Sequence, residues 1–151
     1  MKTFETPAEL APLVGQEVAV SDWVEVTQAQ VNQFAEATGD HQWIHVDTER
    51  ARTGPFGGTI AHGFFTLSLL PRLLESSIAI TQVRMGVNYG LNKVRFTDPV
   101  PVGSRVRGRF TLLALDAVGG NGSQSTWQVT FEREGGDKPA CVAESLVRHY
   151  L

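Results

Sequence analysis

Residues 60–74 read IAHGFFTLSLLPRLL, the most apolar stretch of the chain and one with almost no polar face. A helix without a polar face is a helix surrounded by protein, so this stretch predicts a long buried helix. Pro71 lacks an N–H and crowds the preceding turn, which predicts a kink or an end near Leu70. Downstream the period changes from helical to alternating. Over residues 104–115, Val106, Phe110 and Leu112 fall on one side and Arg105, Arg107 and Arg109 on the other, as in a half-buried strand. Gly119-Gly120-Asn121-Gly122 is a hairpin signal. Trp127, Val129 and Phe131 share a face of the next strand, Gly135-Gly136-Asp137 turns the chain, and residues 139–149 form the last strand. Before them, residues 82–89 and 91–97 read as two further strands, with Pro99, Pro101 and Gly103 marking the turn that follows. One buried helix followed by four or five antiparallel strands is an α+β pattern. A curved antiparallel sheet wrapped around a long central helix satisfies it.

Upstream, Thr6-Pro7 reads as a helix start, since proline at the first helical position gives up only an unused N–H. That short helix runs to about Val14, with Gly15 as its stop. Val18, Val20, Val24 and Val26 then fall on one face of an extended segment. Thr27 with Gln30 three residues on forms a capping box. The helix it opens carries Val31, Phe34, Ala35 and Thr38 on one face, and Gly39 ends it where a left-handed residue is often required. Residues 40–59 read as irregular apart from a helical turn near residues 48–52, and a connection of that length in a compact domain is usually functional.

The 151 residues suit one domain, residues 1–151, and a 42% hydrophobic content supplies a core. With a formal net charge of −3 and both signs scattered, no basic patch points to a nucleic acid. No apolar run reaches the roughly 18–20 residues of a membrane span, and residues 1–10 lack the apolar run of a signal peptide. Cytoplasmic placement is the default expectation. A lone cysteine, Cys141, excludes an intrachain disulfide and reads as a small buried hydrophobe. The arginine stripe of residues 105–109 reads as a solvated sheet face, with a role for it or for Lys93 and Arg95 in holding phosphates left open.

Residues 34–52, FAEATGDHQWIHVDTERAR, resemble the signature of MaoC-like (R)-specific enoyl-CoA hydratases. The matching positions are Phe34, Gly39-Asp40, Ile44, His45 and Ala51. A second block, Gly58-Thr59-Ile60-Ala61-His62-Gly63, resembles that family's start of the central helix. Residues 88–107, NYGLNKVRFTDPVPVGSRVR, are similar to its nodulation-protein-N-like branch. The chain departs from the pattern at Gln42 and Trp43, where the family usually carries Asn and Pro. Gln42 offers the same amide groups from one methylene further out.

The resemblance implies a hot-dog fold and reversible hydration of a trans-2-enoyl-CoA to the (3R)-3-hydroxyacyl-CoA. It implies Asp40 and His45 as an acid–base dyad, and Gly63 and Gln42 as oxyanion or substrate-binding residues. It also implies a homodimer or dimer of dimers joined at sheet edges, with the acyl tunnel near that interface. The acyl-CoA thioester is the expected partner, and coenzyme A enters as part of the substrate, so no separate cofactor or metal is called for. The chemistry is coherent with these residue types. Water addition needs a base at the water, a proton for the α-carbon and a donor to the enolate-like oxygen, and Asp and His can share the proton traffic in a partly desolvated cleft. A helix N-terminus supplies free N–H groups, and glycine lets a thioester approach them. Other readings stay open beside this one. They are a hot-dog thioesterase, a non-catalytic acyl-thioester binding or accessory protein, and a metal held by His41 and His45, which are four residues apart. His62 reads as a helix-start or packing residue, and Trp43 as an acyl-pocket or core-covering side chain.

Overall fold

A computed structural model describes residues 1–151. Strand β1 (Lys2–Phe4) leads into a 3-10 helix at Pro7–Leu13, in place of the α-helix expected there. Strands β2 (Glu17–Val20) and β3 (Val24–Glu25) follow, and both pair antiparallel with the same later strand. The single extended segment expected over Val18–Val26 is therefore broken. Val18 and Val26 are buried while Val20 lies exposed.

Helix α1 (Gln28–Thr38) keeps both halves of its capping box: Thr27 Oγ1 accepts from Gln30 N, and Gln30 Oε1 accepts from Thr27 N. It buries Val31 and Ala35 and ends at Gly39, whose φ of 78° is left-handed. Residues 40–59 hold two helical turns. These are α2 (Trp43–Val46), which the sequence reading missed, and α3 (Thr48–Arg52), which it expected.

The long central helix is corrected to two six-residue helices, α4 (Gly63–Ser68) and α5 (Leu70–Glu75), jointed at Leu69. Pro71 sits in the first turn of α5, where its missing N–H costs nothing, so the chain bends there instead of stopping. Ile60–His62 are extended, not helical. Ala61 N donates to the Val100 carbonyl at 2.8 Å, and Ile60 pairs with Pro101.

After α5 come β4 (Ile78–Ile80), β5 (Met85–Phe96), β6 (Arg105–Val118), β7 (Gly122–Arg133) and β8 (Cys141–Tyr150). The six-stranded antiparallel sheet has the order β2-β6-β7-β8-β5, with β3 also on β6, and β1 pairs parallel with β4 apart from it. The two strands expected over residues 82–97 are one strand, β5, with register shifts at Asn88/Gly90 and Leu91/Lys93. Such bulges bend a strand without ending it.

Helices α4 and α5 lie against one face of this sheet. Phe65, Leu69, Leu70 and Leu73 pack with Val106, Phe110, Leu112, Trp127, Val129 and Phe131 in one apolar cluster. The expected alternation in β6 and β7 is the basis of that core, and Cys141 belongs to it. The outer face of β6 carries the arginines, each paired: Arg105 with Glu134, Arg107 with Glu132 and Arg109 with Glu17. Exposed pairs contribute about 0–1 kcal/mol each, so this face keeps the sheet solvated more than it stabilises it. No helix is long and apolar enough to cross a membrane.

Candidate active site

The turn from α1 into α2 and the extended run before α4 meet edge to edge. Ile60 N donates to the Ile44 carbonyl at 3.0 Å, and the His45 Nδ1 lies 2.7 Å from the Ile60 carbonyl oxygen. A carbonyl can only accept, so His45 carries its proton on Nδ1 and presents Nε2 as a lone pair. Gln28, the first residue of α1, stitches the same elements together. Its Nε2 donates to the His45 carbonyl at 2.8 Å, and its Oε1 accepts from Thr59 Oγ1 at 2.6 Å. The sequence carried no signal for this, since a polar residue opening a helix is ordinarily solvated.

His45 is buried and Asp40 exposed. One ligating atom from each of Asp40, His45 and His62 lies within 4.8 Å of the others, so the two residues predicted as a pair do converge, with a third that was read as packing. The Asp40 carboxylate accepts from Gln42 N at 3.3 Å. Gln42 thus reaches the site through its backbone; its side-chain amide takes no protein partner.

Burial pushes the His45 imidazole below the ordinary histidine range. The nearby His62 adds to this, while the Ile60 hydrogen bond and the Asp40 charge oppose it. The ring therefore stays neutral and able to accept a proton.

Gly63 opens α4, where N–H groups have no intrahelical acceptor. It lines a cavity of about 160 Å³ together with His45, Thr66, Phe96, Asp98 and Val100. A Cβ at Gly63 would lie 2.9 Å from the Phe96 ring. The glycine is thus required by the close approach of Phe96, a reason that the sequence reading, which assigned it to ligand access alone, did not contain.

The trio also has the composition of a metal site, but its geometry fits one poorly. His45 and His62 stack with ring centroids 3.9 Å apart and planes 26° from parallel. Near-parallel rings aim their in-plane lone pairs side by side, whereas one ion about 2.0–2.1 Å from each nitrogen needs them to converge. His41 stands apart, with Nδ1 3.7 Å from Glu36 on the surface, so the His41/His45 pair does not form. Trp43 lies under the Arg50 guanidinium at 4.2 Å and against Gly54, covering the loop instead of lining the cavity.

Comparison with known proteins places this geometry in a family. The family described as MaoC like domain matches residues 9–132. A 3-hydroxyacyl-thioester dehydratase Z from Mycobacterium tuberculosis (strain ATCC 25618 / H37Rv) is 58% identical over 149 residues, covering 99% of each chain. Nodulation protein N from Rhizobium leguminosarum bv. viciae is 49% identical over 138 residues, 90% of this chain and 86% of that one. Among solved structures, the (R)-hydratase from A. caviae involved in PHA biosynthesis superposes with a TM-score of 0.72 at 26% identity, covering 89% of this chain and 94% of that chain. The fold is the hot-dog fold of these MaoC-like proteins.

The depressed His45 predicts how stability depends on pH. The unfolded chain binds a proton at this histidine near its ordinary value of 6.5, and the folded chain only at lower pH. The contribution of a neutral His45 is therefore complete above pH 6.5 and is lost as pH falls through the depressed folded value. Urea midpoints should drop between pH 7.5 and 5.5, and His45→Gln should make that drop shallower. His149, also lowered by burial, remains in both proteins and contributes with the same sign. Equal slopes for the two proteins would contradict the assignment.

Proposed function

The chain belongs to the MaoC-like domain family, and from that premise we propose that it hydrates trans-2-enoyl-CoA to (3R)-3-hydroxyacyl-CoA, and catalyses the reverse dehydration, through Asp40 and His45. The observation that carries the proposal is the approach of the Asp40 carboxylate to a buried His45 whose Nδ1–H is committed to Ile60. That leaves two acceptors, a carboxylate oxygen and His45 Nε2, for the two hydrogens of one water. Held so, the water turns its oxygen lone pairs toward C3 of the enoyl group. As the C3–O bond forms, the dyad takes one proton from the water and hands that same proton on to C2 as the C2–C3 π bond breaks, which returns the dyad to its starting state. The net change is H and OH added across the double bond, with nothing oxidised or reduced. Gly63 N–H is the proposed donor to the thioester oxygen, which gains charge as C2 becomes enolate-like. Preorganised donors of this kind are often the largest single catalytic contribution.

The rest of the substrate follows the same surface. Gly63, Leu67, Leu70, Pro71 and Leu74 mark a path along α4 and α5. Two further cavities lie along it. One of about 330 Å³ is lined by Leu67, Pro71, Asn88 and Leu91, and one of about 390 Å³ by Leu74, Ile78, Val87, Trp127 and Val147. The proposed acyl tail runs along this seam. Lys93 and Arg95 stand close before Phe96 on β5, both exposed, and are the cations proposed for the coenzyme A phosphates. The β6 arginines are already paired.

The proposed assembly is a homodimer, alone or as a dimer of dimers, joined at β5. That edge strand is exposed over nearly all its length and carries Met85, Val87, Tyr89, Leu91 and Phe96 on its surface, with Phe64 beside them. A long apolar edge invites pairing with another strand, and a two-fold axis removes the liability. The cytoplasm is the proposed location.

Asp40→Asn and His45→Gln should each lower turnover of crotonyl-CoA by about 10²–10⁴-fold, followed as loss of the enoyl thioester absorbance. The double change should add little, because both groups act on one water. A folded single variant with near-normal turnover would show the dyad assignment to be wrong. Release of free coenzyme A thiol by the unaltered protein would favour the thioesterase reading instead.

Light scattering should give twice the protomer mass or a multiple of it, and Val87→Lys with Leu91→Lys should shift it toward one protomer. An active monomer at assay concentration would refute the assembly.

A further inference from the structure

We infer that His62 is a positioning residue that holds both members of the dyad at once: its Nε2 fixes the main chain of Asp40, and its ring face fixes the imidazole of His45. The inference rests on the assignment of Asp40 and His45 given above.

His62 is 2% exposed and immediately precedes α4. Its Nε2 lies 2.9 Å from the Asp40 carbonyl oxygen, 22 residues away in the chain. The carbonyl accepts, so the His62 proton sits on Nε2. Asp40 follows Gly39, the left-handed residue that ends α1, and its carboxylate is exposed. Apart from the local contacts of its own turn, that imidazole bond ties the Asp40 backbone to the body of the protein.

The ring of His62 has two aromatic neighbours. His45 stacks on it at 3.9 Å, and Phe34 lies against it at 4.9 Å from α1. One buried imidazole therefore sets where the Asp40 chain runs and which plane the His45 ring occupies. Its remaining nitrogen, Nδ1, is buried without a protein partner, so the protein contacts of the ring run to Asp40, His45 and Phe34 alone. It acts through Asp40 and His45, not on the substrate.

The stack also has an electrostatic side. The charged and titratable groups facing His45 are Asp40 from the turn after α1, His62 from the run before α4, and Asp98 from the β5–β6 connection, where Asp98 is itself paired with Arg133 and Lys138. Of these, His62 disfavours a proton on His45 and Asp40 favours it, with burial the larger influence.

Two variants separate the two contacts. His62→Gln keeps a donor at about the position of Nε2 and removes the ring; His62→Phe keeps a ring and removes the donor. Imidazole nitrogen NMR of the full-length protein reads the outcome without relying on activity. The expected unaltered state has His45 protonated on Nδ1 and His62 on Nε2. The expected result for His62→Gln is that the His45 titration midpoint moves up toward the ordinary histidine value, and with it the acid limb of the rate profile. The expected result for His62→Phe is a turnover lowered by about tenfold to a hundredfold with little change in KM, as for displacement of a catalytic group by a fraction of an ångström. A merely structural role would lower melting temperature in both variants and leave the His45 midpoint in place. Folded variants with unaltered turnover and an unmoved His45 midpoint would overturn the inference, as would the opposite tautomer at His62. If the midpoint moves but His45→Gln remains fully active, the hold of His62 on the ring stands and the dyad assignment fails.

Discussion

The hydrogen bond from His45 Nδ1 to the Ile60 carbonyl joins the two pieces of chain from which the site is made. With the reciprocal bond from Ile60 N to the Ile44 carbonyl, it stitches α2 to the extended run before α4. The same run is held on its far side by Val100 and Pro101. Leaving such a buried donor or acceptor unpaired costs about 1–3 kcal/mol, so the pairing is strongly preferred to any register that breaks it. Once it forms, the tautomer of His45 is set, its Nε2 is left as an acceptor, and Gly63 lines the same cavity. The site is thus a consequence of how one short helix docks, and Gln28 reinforces that docking from α1.

The two members of the proposed dyad live in different surroundings. His45 is desolvated by the body of the protein and stays neutral, while Asp40 remains open to solvent in the single protomer. An acyl thioester seated along α4, as proposed, would close that opening. Desolvation at the moment of binding strengthens each charge–dipole interaction in the cleft. A site that is half open before substrate and dry after it suits a reaction whose nucleophile is water, because one water must enter and the rest must leave.

Local signals made much of this readable. The Thr27–Gln30 capping box, the left-handed Gly39 and the alternation through β6 and β7 each depend on a few neighbouring residues, and each reads directly. Asp40 and His45 were singled out by the resemblance of residues 34–52 to a family signature, and the structure brings the two together with His62. What could not be read depends on distant chain. Ile60–His62 is apolar whether extended or helical, and only pairing with Ile44, Val100 and Pro101 makes it extended. Strands β1 and β4 are three residues each and find one another across the whole helical region. Gly90 looked like a strand break because a bulge and a break share the same residue. Pro71 was located correctly, but its consequence depended on whether a new helical turn could start there. His62 looked like packing because nothing near it in sequence announces Asp40 and His45 as its neighbours.

The central claim, that one water held between Asp40 and His45 adds across the enoyl double bond, is tested most directly by product analysis in D₂O. Crotonyl-CoA is incubated with the protein under single-turnover conditions, before exchange by the reverse reaction. The configuration at C3 and the deuterium at C2 are then read by chiral chromatography and NMR. The account predicts (3R)-3-hydroxybutyryl-CoA carrying one deuterium at C2 in a single configuration. A product of mixed or (3S) configuration would contradict it, as would crotonate with its double bond intact beside free coenzyme A.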